Sequence, residues 1–453
     1  MTQSSRRSGA GRPEAGAALG LDFGTTNTVA ARTNGAGKAD VITFDHAGER
    51  HATFRSVLCF FESRVKPGVS EQRIEAGPWG IERFAEDPQD CRFLQSFKTF
   101  AASKAFVDTT VQGKRYRFED LLATFLKKMQ GHAGAALQPL PKRLVIGRPV
   151  TFAGGDPDEA LAIRRYQAGL EQLGFEAVDF VYEPVAAAFF YAQRLTRSAT
   201  ILVADFGGGT SDFSIIRFEK SGDRLTALPM GASGVGIAGD TFDYRLIDHV
   251  VSPYLGKGTR YRSFGKELDI PVHYFANFAR WNQLAIMKSP ATLRELEELA
   301  SAALDRSGLD RLIELIEDDL TWDLYRAVSD TKIALSRQER ARLTIASGSI
   351  RIDTEVARAD FERWVAPDIA RIEASVEEAL TRAGVGASGI DRVFLTGGSS
   401  FLPVIRRLFE HRFGADKIET GDQLVSIAAG LALIGEEADL TPWTVAAPAT
   451  IAA

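Results

Sequence analysis

Cysteine is almost missing from this chain: only Cys59 and Cys91 occur in 453 residues. That excludes a disulfide framework, and their spacing fits no metal-ligand motif, so the composition points to a reducing compartment, the cytoplasm. The six histidines form no H-E-x-x-H or similar cluster. No apolar run approaches the roughly 18 residues of a membrane span, so no membrane segment is expected. Basic charge is not in excess either. A formal net charge of -5 argues against any nucleic-acid role that depends on a positive field over the whole molecule. Two catalytic signatures are also missing. No G-x-x-x-x-G-K-[ST] phosphate loop occurs, and Gly231-Ala232-Ser233-Gly234 fails the spacing of a G-x-S-x-G nucleophile elbow.

What is present is ordinary globular material. With 45% hydrophobic and 25% charged residues, the chain has no surplus apolar surface to place in lipid. Its length suits two sizeable cores or one bilobal body. Residues 1–18 are rich in Ser, Arg, Gly and Ala, and the Arg6-Arg7 pair precedes no apolar core of an export signal, so a disordered tail is expected there. The Pro, Ala and Thr-rich end, from about 437 to 453, is expected to be a second tail.

The body contains a duplication. Residues 18–29 read as a short apolar strand, an Asp at its end, a tight Gly/Thr turn and a second strand. The same pattern returns half a chain later, at residues 201–216, with Asp205-Phe206-Gly207 matching Asp22-Phe23-Gly24. Each hairpin is followed by a buried-strand candidate and a helix: Arg143 to Gly147 and then about Pro157 to Gly174, and Asp391 to Leu395 and then about Leu402 to His411. The fold class expected is therefore α/β, with duplicated lobes facing one another across a central cleft, where ligands usually sit. The lobes should span 19–199 and 200–436. A helical insertion at about 251–335 is marked by the periodicity of Leu293 to Leu304, Leu309 to Ile316 and Leu324 to Leu335.

The turns suit a nucleotide. Glycine lets backbone N–H groups approach phosphate oxygens, and successive N–H groups make an anion nest. Gly207-Gly208-Gly209-Thr210 serves one end of a triphosphate and Gly24-Thr25-Thr26 the other, with threonine hydroxyls as added donors. Asp22 and Asp205, at strand ends, could orient the waters of Mg²⁺. A third Gly-rich turn, Thr396-Gly397-Gly398-Ser399-Ser400, opens a helix, a place that favours a phosphate or polar ligand but is also common in any α/β protein.

At this point the residues resemble the DnaK-type, seventy-kilodalton heat-shock family, in motifs spread from about Leu19 to Leu433 and in the family's order. The matches are residues 19–28, with Asn27 and Thr28 closing the first phosphate hairpin; Tyr182 to Ala188, like E-P-x-A-A-A; Asp205 to Thr210; Gly236 to Asp243, with Gly239 and Asp240 at a helix start; and Gly397-Gly398-Ser399. Lys98 sits where the family has a K-R-L-I-G lysine, although a solvated surface lysine is the alternative, and Pro149 stands in the place of the switch proline. The YegD-like branch is the nearest in pattern.

The resemblance implies an actin-like ATPase fold with ribonuclease H-like lobes, binding and slowly hydrolysing Mg-ATP as a conformational switch. Asp22 and Asp205 would hold hydrated magnesium. Thr25, Thr26 and Gly207 to Thr210 would hold phosphates, while Lys98 and Glu183 would act on the γ-phosphate and the attacking water. Lys332, Ser336, Gly397, Gly398 and Ser399 would line the adenosine pocket. The two lobes would close on ATP and relax on ADP, and a nucleotide-exchange or co-chaperone protein is the implied partner. The alternative for Glu183 is a helix N-terminal carboxylate before Pro184 at the first turn. Three departures stand out: Ile333 and Phe401 occupy positions where the family commonly has adenine-flanking arginines, no linker or peptide-binding domain follows about Glu437, and the 251–335 block is longer than the family pattern. A small-molecule kinase of the same superfamily and a nucleotide-binding scaffold or filament former remain alternatives.

Overall fold

The computed structural model describes residues 17–445, apart from 35–36, 67–68, 89, 155, 222–223, 280–286, 319 and 420–423. The first expected tail therefore falls outside the described residues except for 17–18, and the second from 446 onward.

Two sheets dominate, and they share one strand plan. In the first, Ala39–Val41, Asn27–Thr33, Ala18–Phe23, Arg143–Arg148 and Ala177–Tyr182 lie side by side in that order. In the second, the order is Arg224–Val235, Ser211–Ser221, Ala199–Phe206, Arg392–Thr396 and Ile418–Glu419. Each sheet thus has an antiparallel hairpin whose first strand is continued on its other side by two parallel strands. Ala199–Phe206 is buried along its whole length, as expected for a strand with neighbours on both edges and helices on both faces. The duplication read from the sequence is a duplication of topology.

The sheets are joined by a wedge of two helices. Glu183–Ala192 begins with Pro184 at its first turn, where the missing N–H costs nothing. Ser426–Ile434 is apolar all round and wholly buried. The two approach so closely that a Cβ on Gly430 would lie 1.9 Å from the Ala186 carbonyl oxygen, and one on Gly20 would lie 2.2 Å from that of Ala428. A single apolar cluster runs from Val145 and Val181 through Ala186 to Ile201, Val203 and Phe394, so the wedge ties both sheets into one core.

Three boundaries differ from the sequence reading. Ala18 is not tail: it is buried as the first residue of its strand and donates its N–H to Thr33 Oγ1 at 3.0 Å. Leu440 and Trp443 are buried too, with Trp443 edge-on to Phe189 at 4.7 Å and the Val445 N–H donated to the Phe180 carbonyl. Two large apolar side chains anchor a segment whose average composition reads as a tail. The helix Ser426–Ile434, assigned to the second lobe, packs on the first sheet beside Gly20. Inside the block expected to be helical, Pro290–Ala302, Ser307–Glu317 and Thr321–Arg337 are helices, but Arg260–Ser263 and Lys266–Asp269 form a hairpin. The block packs mainly on the second sheet, while Trp322 reaches the first half and meets Phe93 edge-on at 5.1 Å.

Candidate functional site

Both hairpin turns open at the same cleft. A Cβ on Gly208 would meet Thr26 Oγ1 at 2.6 Å and Thr25 Cβ at 3.3 Å, and one on Gly209 would stand 3.6 Å from Thr25 Oγ1. Glycine at 208 is thus required by the close approach of the other turn. Gly207 closes its own turn through an N–H bond to the Thr210 carbonyl at 3.0 Å. The helix Gly239–Leu246 then caps it, with the Gly239 and Asp240 N–H groups donated to the Gly207 and Gly208 carbonyls at 3.3 and 2.8 Å. The helix thus takes up those two carbonyls, and a Gly-rich turn of this kind can offer its remaining N–H groups to an anion.

Below the turns lies a charged floor. Lys98 stands on the short helical turn Phe97–Phe100, set by Ser96 in the left-handed region at φ 53°, and its side chain is 9% exposed. Burial removes the reading of Lys98 as a solvated surface lysine. It donates to Glu183 Oε1 at 2.7 Å, and Glu183 is itself buried at the start of its helix. Burial opposes the Lys98 charge, yet Glu183 and Asp22 hold its pKa above the ordinary value. Around this pair the carboxylates crowd. Desolvation and the Glu183 charge push Asp22 up to about 7 against the pull of Lys98. Asp205 is raised well above its usual range by burial and by Glu183, Asp22 and Asp212. One ammonium does not balance these groups, and a cation would relieve the repulsion.

No three acidic, His or Cys side chains converge as a metal cage among the described residues. Asp22 and Asp205 nevertheless fit a hydrated magnesium, which takes one or two carboxylates and completes its shell with water and phosphate oxygens.

On the second-half side, Lys332 Nζ donates to Asp243 Oδ2 at 2.9 Å and to the Gly239 carbonyl at 3.2 Å, tying the helix Thr321–Arg337 to the capped turn. A Cβ on Gly239 would meet Ser399 Oγ at 3.1 Å, so Ser399, Gly239 and Lys332 are gathered at one point. Gly397 takes φ 80° with the Phe206 carbonyl against it, a conformation and an approach that only glycine allows. Gly398 faces open space. Ser336 is half-buried and spends its hydroxyl on the Ile333 carbonyl at 2.6 Å. Ile333 and Phe401 are both 51% exposed, unusual for side chains of their size. Burial pushes Asp240 up to about 6, with Asp243 adding to it and Lys332 and Arg55 opposing. Asn27 accepts from Arg55 Nη1 at 3.4 Å.

Two residues were missed in the sequence. Ser56 donates to the Gly24 carbonyl at 2.7 Å and shares a 2.9 Å bond with Thr28 Oγ1, so it clasps the first turn from behind. Asp212 Oδ1 accepts the Val150 and Thr151 N–H groups at 2.9 and 3.1 Å, linking the second hairpin to the turn after Pro149 in the first half. Burial and the Glu183 charge push Asp212 up to about 7, with the Thr210 hydroxyl and the Thr151 N–H pulling the other way. Asp212 had a signal: a four-residue turn places it opposite Asp205 in the ladder. Ser56 had none.

Twin sheets of one topology, each presenting a Gly-rich hairpin to a shared polar cleft, define an actin-like ATPase fold. A family model described as Hsp70 protein matches residues 84–260 and 299–438, well over half of the chain, and the chain belongs to that family. Among curated relatives, the chaperone protein DnaK of Deinococcus proteolyticus is 27% identical over 428 residues, covering 92% of this chain and 58% of the relative. DnaK of Deinococcus radiodurans is likewise 27% identical, over 92% of this chain and 59% of its own. DnaK of Thermus thermophilus is 26% identical over 440 residues, 93% of this chain and 62% of its own. The chain spans about three fifths of the length of these relatives.

Proposed function

We propose that this chain binds Mg-ATP between its two hairpin turns and hydrolyses it slowly, as a conformational switch read by a partner protein in a chaperone system. The observation that carries the proposal is the buried Lys98–Glu183 pair at 2.7 Å, set below two Gly/Thr turns that face each other. A buried ion pair at the floor of an anion-binding cleft is placed to act on a phosphoryl group. The Lys98 ammonium offsets charge developing on that group, and Glu183 orients the attacking water in line. Backbone donors of Gly24 to Asn27 and of Gly207 to Thr210 cradle the phosphates. Bound magnesium, held through water by Asp22 and Asp205, would neutralise phosphate charge.

Gly239, Asp240, Lys332, Ser336, Gly397, Gly398, Ser399 and Phe401 line the side given to the nucleoside. Ile333 and Phe401 offer the base an apolar and an aromatic surface in place of guanidinium groups, which favours weaker base binding, by about 0.5–2 kcal/mol for each lost cation–π contact. The wedge of Glu183–Ala192 against Ser426–Ile434 supports the switch, since it begins at Glu183 and touches both sheets. That the relatives are chaperone proteins favours a co-chaperone or exchange factor as the reader. Free thiols at Cys59 and Cys91 suit the cytoplasm, and among the described residues no helix is long and apolar enough to cross a membrane.

The test is calorimetry of ATP and ADP with and without magnesium, together with turnover in the presence and absence of sugars. Magnesium-dependent binding with slow, acceptor-independent release of phosphate is expected. Turnover that requires a sugar would make the protein a kinase, and binding without turnover would make it a scaffold.

A further inference from the structure

The helix Glu159–Glu171 places Tyr166 in the first core with 1% of its surface exposed. Its ring is boxed by Phe118 at 5.5 Å, Phe23 at 6.0 Å, and Phe152 and Phe180 at 6.3 Å between centroids. Such a box suits phenylalanine, yet the residue carries a hydroxyl, and that hydroxyl has no hydrogen-bond partner among the described residues. A buried, unsatisfied polar group is destabilising, and its retention asks for a reason.

The surroundings supply one. Phe23 follows Asp22, Phe152 lies in the turn after Pro149 that holds Asp212, and Phe180 sits in the strand that leads into Glu183. These rings tie Tyr166 to the segments that carry the floor, and the charges of Lys98, Glu183 and Asp22 act on its hydroxyl. A second unpartnered donor lies nearby: Arg148 Nη2 is buried without a bond, while the guanidinium lies 5.0 Å from the Phe152 and Tyr182 ring centroids. Burial, then the charges of Glu183 and Asp22, raise the Tyr166 pKa against Lys98 and Arg148, so the phenol keeps its proton and remains a donor.

We propose that Tyr166 is a positioning residue for hydrolysis, its hydroxyl donating toward Glu183 when nucleotide draws Lys98 to the phosphates. With Lys98 engaged elsewhere, the Glu183 carboxylate loses its present donor, and the Tyr166 hydroxyl is a neighbouring donor with no bond of its own to break. The carboxylate is then held in the orientation in which it directs water. This rests on the reading of the cleft as a Mg-ATP site.

The experiment compares Tyr166→Phe with Lys98→Ala in the full chain, measuring single-turnover hydrolysis, ATP affinity by calorimetry and melting temperature. Tyr166→Phe keeps the ring and removes an unsatisfied polar group, so affinity is expected to stay at the wild-type value and melting temperature to hold or rise, while turnover falls roughly tenfold, the scale of one charge-assisted hydrogen bond lost from a transition state. Wild-type turnover in Tyr166→Phe with a large loss in Lys98→Ala overturns the Tyr166 role and leaves the ATPase reading standing. A fall in melting temperature or affinity that accounts for the lost turnover makes Tyr166 merely structural and overturns the role as well. Wild-type turnover in both variants overturns the reading of the site itself.

Discussion

In the first half of the molecule the Gly/Thr turn is gripped by a side chain: Ser56, 32 residues beyond Gly24, donates to its carbonyl and bonds Thr28. In the second half the equivalent turn is gripped by backbone, through the Gly239 and Asp240 N–H groups at the head of the following helix. One turn is therefore fixed by a removable hydroxyl, and the other is built into a helix that also carries Asp243, the partner of Lys332. The halves differ in cargo too. Lys98 and Glu183 come from the first half, whereas Lys332, Gly397 and Ser399 come from the second. The duplicated pattern gives two turns, and under the proposed function the divergence around them would separate chemistry from nucleotide holding.

If labour is divided this way, substitutions in the two halves strike different steps. The largest effect is expected at the floor. Lys98→Ala and Glu183→Gln should each slow single-turnover hydrolysis by about a hundredfold or more, because each removes a charge aimed at the transition state. ATP affinity should change by less than about tenfold, or ~1.4 kcal/mol. Equal losses in affinity and turnover would break the division.

Gly208→Ala probes the holding side. Its new Cβ would lie 2.6 Å from Thr26 Oγ1, so the turns must part. ATP affinity is expected to fall about tenfold, a cost of ~1.4 kcal/mol, with the hydrolysis rate of bound nucleotide less affected. Unchanged affinity in calorimetry would mean that the turns do not hold one ligand between them.

The smallest effect sharpens the contrast between the grips. Ser56→Ala strips two bonds from the first turn and should lower unfolding stability by about 1–3 kcal/mol, read from a denaturant midpoint at constant m-value. No single side-chain deletion should loosen the second turn in the same way, since its donors are backbone N–H groups. Asp240→Ala, which leaves the Asp240 N–H in place, is the matched variant, and a stability loss as large as that of Ser56→Ala would contradict the distinction.

Much of this fold was legible because its logic is local. An apolar strand ending in Asp, a Gly/Thr turn and a second strand describe a hairpin wherever they occur, and Ala18–Phe23 with Asn27–Thr33 and Ala199–Phe206 with Ser211–Ser221 repeat it. Parallel strands such as Arg143–Arg148 announce themselves as short apolar runs. What was not legible depends on contact between distant residues. Nothing near Ser56 in sequence says that it will close on Gly24. The helix Ser426–Ile434 reads as buried, but an all-apolar surface does not say which sheet will take it. The hairpin Arg260–Ser263 with Lys266–Asp269 is exposed almost throughout, so no apolar alternation marks it inside a helical neighbourhood. At the cleft, the Gly/Thr turns and Asp22 and Asp205 could be picked out from strand ends alone. Tyr166 could not, because in sequence a boxed tyrosine is one more aromatic on the buried face of a helix.

The central claim is that Asp22 and Asp205, half a chain apart, serve one magnesium-nucleotide site. The most direct measurement is a double-mutant cycle on Mg-ATP affinity with Asp22→Asn, Asp205→Asn and the pair, each repeated without magnesium. Each single change is expected to remove most of the magnesium-dependent part of binding, and the double variant to lose clearly less than the sum of the two, as residues sharing one ligand do. Strictly additive losses, or the same losses with and without magnesium, would place the two carboxylates at separate sites and contradict the account.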